Sequence, residues 1–137
     1  MRLWHQKLIP YLPRQQLLGQ HRECCALRGR GWGKKHATVD YVFAHDPALL
    51  VVYHYCIMEE MERRGYHPDR TWDDPNWRGS MLGKVEGFAS QEMVEAWWMN
   101  INQMGGIIYP EHNDAYLQEC WENLKKKGID LYEAMDR

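Results

Sequence analysis

The sequence predicts an all-α fold: a compact single domain over residues 1–137, with four or so helices and a long irregular loop at about 66–88. Three observations predict it. Apolar residues recur at steps of three and four in four separate stretches, as the inward face of a helix requires. Pro13, Asp46-Pro47 and Ser90 stand where helices begin, and glycines at 29, 65, 105 and 128 stand where they end. Strand signals are few.

Each element follows in order. Pro13 suits the first turn of the first helix. Leu17, Leu18, His21, Cys24 and Cys25 then recur at helical spacing and are expected to face the core, while Gln16, Gly19, Gln20 and Glu23 fall on a different face. Gly29, Gly31 and Gly33 end this helix and open a loop whose backbone can approach a ligand closely. Asp46 caps a second helix, striped with Leu50, Val51, His54, Ile57, Met58 and Met61 and stopped by Gly65. Residues 66–88 mix Pro, Gly, Asp and Asn without periodicity. Ser90 caps a third helix with Met93, Ala96, Trp97 and Ile101 inward, ending at Gly105-Gly106. A fourth follows Pro110, with Leu117, Cys120, Trp121 and Leu124 inward and Lys125, Lys126 and Lys127 at its C-terminal end, where cations are favoured. Residues 131–137 are expected to add a final turn.

At 137 residues, 45% of them hydrophobic and with seven Trp and eight Tyr, the chain can bury a substantial core, which argues against disorder. It shows neither an apolar run of membrane-spanning length nor a signal-peptide pattern, so a soluble, cytoplasmic protein is expected. Four cysteines without a C-x-x-C pair suit reduced thiols in a reducing compartment.

The net charge of −2 conceals an asymmetry. Residues 1–39 hold eight Lys and Arg against one acid, Glu23, whereas the remainder holds nine cations and eighteen acids. A face this positive binds anions: nucleic acid, a phosphate ligand, or the acidic part of the same chain.

Two groups in the basic segment are suited to chemistry. Arg2 is too bulky for removal of the initiator methionine, so Met1 is expected to present a free α-amine. Such an amine has a reference pKa near 8 and can attack a carbonyl-equivalent carbon as a Schiff-base nucleophile. Glu23, among cations, is expected to be ionised and able to stabilise an oxocarbenium or iminium cation or to move a proton; a plain ion pair with Arg22 or Arg28 is the alternative. Arg28, Arg30, Lys34, Lys35 and His36, with Trp32 between glycines, suit phosphate contact and base stacking, or else form a solvated basic loop. The loop is neither a Walker loop nor a dinucleotide fingerprint. The seven histidines form no ligand motif, so no metal is expected. His21 with Cys24 or Cys25 could mimic a thiol–imidazole pair, against which stands simple core packing.

Residues 12–23, LPRQQLLGQHRE, followed by Arg28, Gly31 and KKH at 34–36, resemble the first helix and basic loop of the phage-type pyrimidine-dimer DNA glycosylases, the endonuclease V type. YHYCIMEEMERRGY at 53–66 resembles the second-helix region of that family, and W-R-G at 77–79 a short element there. The likeness is clearest over residues 1–65. It implies a compact all-α fold and a DNA repair enzyme that cleaves the N-glycosidic bond of a damaged base, then breaks the strand by β-elimination through a Schiff base. By position it places the nucleophilic amine on Met1 and the essential carboxylate on Glu23. It gives DNA contacts to Arg2, Arg22, Arg28, Lys34, Lys35 and His36; Arg30 and Trp32 of the same loop, Arg78 of W-R-G, and Gln16, which stands where the family has a histidine, are expected to join them. It implies damaged double-stranded DNA as partner, association with the nucleoid, no metal or organic cofactor, and no obligate protein partner. A non-catalytic nucleic-acid-binding protein retaining the fold is the alternative.

Overall fold

The computed structural model describes residues 3–29 and 37–131. Their elements are α1 (Arg14–Arg28), α2 (Ala37–Phe43), α3 (Pro47–Arg63), α4 (Gln91–Met104) and α5 (Asp114–Lys126), with 3-10 helices at Gln6–Tyr11 and Arg70–Asp73. Among the described residues there is no strand, only an isolated bridge between Trp77 and Lys84. None of the described helices is long and apolar enough to cross a membrane.

Helix α3 is the centre. Ala48 through His54 are buried without a break, and Ile57, Met58, Glu60 and Met61 continue the burial. A helix enclosed on most sides needs partners on most sides, and α1, α2, α4 and the first 3-10 helix supply them. The Asp46 carboxylate accepts the Ala48 N–H at 2.9 Å, and Pro47 occupies the first helical position, where its missing N–H costs nothing. Gly65 ends the helix at φ +90°, a conformation a side chain would strain. Arg64 then turns back, donating to Glu60 at 2.8 Å and to the Leu12 carbonyl at 2.7 Å, which ties the N-terminal segment to this helix end.

The four foreseen helices are present, with differences that have physical reasons. Helix α2 has a β-branched composition of low helix propensity; burial of Thr38, Val39 and Val42 supports it instead. In α4 the fully buried residue is Val94, with Trp97, Trp98 and Ile101 partly covered, so that of the residues expected inward Trp97 and Ile101 pack against the core while Met93 and Ala96 are exposed. Helix α5 starts at Asp114, capped by Asn113, whose side chain accepts the Tyr116 N–H at 2.9 Å. The loop at 66–88 is irregular apart from its 3-10 turn and the bridge. The final turn foreseen at the C-terminus lies outside the described residues beyond Leu131.

Candidate active site

Helix α1 places unlike side chains on opposite faces. Gln16, Gly19, Gln20 and Glu23 line one open groove of about 970 Å³. Its facing wall comes from α5, with Tyr116, Asn123 and Lys126, and Lys127 just beyond. Arg22, on the adjoining strip of α1, is exposed. Among the described residues no ion pair joins Glu23 to Arg22 or Arg28. The pairs seen there join residues from 45 to 111, such as Glu60 with Arg64 and Asp74 with Lys84. Several acids of the remainder therefore neutralise cations of that same part of the chain.

Trp4 also lines the groove, and the chain arrives there under tight constraint. The Trp4 N–H donates to Gln20 Oε1 at 2.7 Å, and the Tyr53 hydroxyl donates to the Trp4 carbonyl at 2.5 Å. Tyr116 donates to the Leu3 carbonyl. His5, 1% exposed, donates from Nε2 to the His112 carbonyl at 2.8 Å. Lys127 Nζ lies 5.7 Å from the centre of the Trp4 ring, within cation–π reach. Residues 3–5 are thus laid across α1, α3 and α5, with Trp4 lining the same groove as Glu23.

The opposite face of α1 is core. His21 Nδ1 and His54 Nε2 are 2.9 Å apart, and Cys25 Sγ lies 3.9 Å from both His21 Nε2 and His54 Nε2. Arg28 Nη1 is 3.1 Å from His54 Nδ1. A guanidinium only donates, so His54 Nδ1 is the acceptor, its Nε2 carries the proton, and His21 Nδ1 receives it. The three donor atoms are close enough for a metal ion. The chemistry opposes one: the arginine fixes the wrong tautomer on His54 and places a positive charge beside any bound cation. Burial pushes the Cys25 thiol up to about 11 and holds both imidazoles below the usual histidine range, His54 furthest, with Arg28 adding to that effect. The pair is therefore a neutral thiol beside neutral imidazoles, which is core packing and not a nucleophile.

Arg28 requires a correction. The expected phosphate contact is instead a fully buried side chain. Its guanidinium donates to the carbonyls of Trp72 at 2.8 Å and Asp74 at 2.5 Å and lies 5.0 Å from the Trp72 ring centre. Its position on α1 turns it inward, and burial lowers its pKa to about 10. Arg78 is half-buried: its Nε donates to the Arg28 carbonyl at 2.6 Å, capping the end of α1, and its guanidinium lies 4.2 Å from the Phe88 ring centre. Met1, Arg2, Arg30, Trp32, Lys34, Lys35 and His36 lie outside the described residues.

The α5 wall, Trp4 and its anchors Gln20 and Tyr53 were not foreseen as site residues. Lys126 and Lys127 read as helix-end cations, and Gln20 read only as a member of the Glu23 face. Nothing in the sequence joins residue 4 to residue 53.

The family model described as pyrimidine dimer DNA glycosylase matches residues 1–74. The match takes in α1, the N-terminal segment and α3 and stops before α4 and α5. No curated protein and no solved structure matches the chain.

Proposed function

The chain belongs to the pyrimidine dimer DNA glycosylase family, and from that premise we propose that it excises a damaged base and cuts the strand through a Schiff base on the Met1 α-amine, with Glu23 as the essential carboxylate. The family makes DNA its substrate and repair its role. The observation that carries the finer reading is the groove in which Glu23 shares a wall with Trp4. Met1 is three residues before Trp4, a reach of at most about 11 Å.

The chemistry then runs in sequence. The damaged nucleotide is displaced from the stack. The unprotonated amine attacks C1′ as the C1′–N bond breaks, and the base leaves with the bonding electrons. Opening of the sugar and loss of an amine proton give an iminium at C1′. Removal of a C2′ proton expels the 3′ phosphate from C3′, which cuts the strand; water then hydrolyses the imine and frees the amine. Glu23 offsets the positive charge near C1′ and moves the proton, while Arg22 and Lys126 on the groove walls hold phosphates. These steps call for no metal or organic cofactor.

The test is covalent trapping. Duplex DNA holding a thymine dimer or an abasic site is incubated with the protein and borohydride. A stable adduct, lost when the α-amine is blocked, is expected. Glu23→Gln should slow strand cleavage about 10²- to 10⁴-fold while DNA affinity changes little. Salt-sensitive binding without an adduct or a cut would leave only the fold-retaining binding protein.

A further inference from the structure

Residues 3–5 lie in no regular element, yet both main-chain polar groups of Trp4 are taken by buried side chains. Gln20 is 4% exposed and Tyr53 fully buried. Their polar atoms converge: Tyr53 Oη is 3.2 Å from the same Gln20 Oε1 that accepts the Trp4 N–H. A buried amide and a buried hydroxyl are costly unless paired, and here each is paired with a main-chain group of the same residue. What the polar pair adds is direction. It holds one residue by both its N–H and its C=O. Gln20 precedes Glu23 by three residues, which puts both on one face of α1, about 4.5 Å apart along its axis.

We propose that Gln20 and Tyr53 are positioning residues for catalysis: by clamping the Trp4 main chain they set where the N-terminal amine emerges relative to Glu23. The inference rests on the reading of Met1 as nucleophile. Tyr116, donating to the Leu3 carbonyl from the groove wall, is the outer member of the same clamp. None of the three needs to touch DNA to act. By holding Leu3 and Trp4 they fix the point from which the amine would have to reach C1′, and a misplacement of about 1 Å is costly in such reactions.

The experiment measures borohydride trapping of abasic-site duplex under single-turnover conditions, for the wild-type protein, Tyr53→Phe and Gln20→Met. At saturating DNA both variants should trap about 10- to 100-fold more slowly, while the half-saturating DNA concentration stays within about threefold of wild type. Rates equal to wild type, or losses that track the folded fraction by circular dichroism, would overturn the positioning role. Should either core variant fail to fold, Tyr116→Phe, altered nearer the surface, decides: slower trapping with unchanged affinity supports the clamp, and an unchanged rate overturns it. A wild-type protein that forms no adduct would instead overturn the proposed function, and this inference with it.

Discussion

Arg22 and Arg28 stand six residues apart on one helix and belong to different worlds. Arg22 is exposed on the groove side, while Arg28 is sealed in the core against Trp72, Asp74 and His54. The same contrast runs along all of α1. One face offers Gln16, Gln20 and Glu23 to an open groove; the other buries Cys24 and joins His21, Cys25 and His54. Side-chain chemistry alone therefore does not say what a residue is for. Two identical guanidiniums serve opposite ends, one available to an anion and one holding the fold together, because 100° of rotation per residue carries them to different surroundings.

Substitutions can break this contrast. The largest stability effect is expected at Arg28. Arg28→Met removes the donors to two partly buried carbonyls and empties the space of a fully buried side chain, which should cost about 2–4 kcal/mol and lower the urea midpoint. An unchanged midpoint would mean that water satisfies those carbonyls and that the core assignment is wrong.

Acid probes the same face. Burial, aided by neighbouring positive charge, holds His54 well below the ordinary value of 6.5, and burial with the neighbouring His5 takes His112 to about 4. Below about pH 6.5 the unfolded chain thus binds more protons than the native protein. Stability should be complete above that pH and fall as the pH drops towards about 4, by at most about 1.4 kcal/mol per pH unit for each histidine. Denaturant titrations at several pH values would show it; a stability flat across that window would contradict neutral buried imidazoles.

The smallest expected effect on stability is on the groove face. Arg22→Ala should alter it by less than about 0.5 kcal/mol, yet reduce the slope of log affinity for DNA against log salt by about 0.9. If Arg22 and Arg28 variants behaved alike in either assay, the division of α1 into two faces would fail.

Much of this was legible in the sequence. The cap at Asp46, the stop at Gly65 and the stripe of α3 are local matters, decided within a few residues, and they appear as read. The shared face of Gln16, Gly19, Gln20 and Glu23 is likewise a consequence of helical geometry. Where local signals are weak the sequence is silent: α2 is built from poor helix formers, and only packing shows that Val94 is the buried residue of α4.

By itself, the sequence determined four of the five described α-helices, the lone early carboxylate among cations and the family. Only the tertiary structure decided which arginine is buried, that α5 walls the groove, and that Gln20 and Tyr53 hold Trp4 from 16 and 49 residues away along the chain. The physical reason is range. Helix periods and caps are set by neighbours in sequence, whereas desolvation and long-range hydrogen bonds depend on which surfaces meet, and that is settled only when the whole core closes.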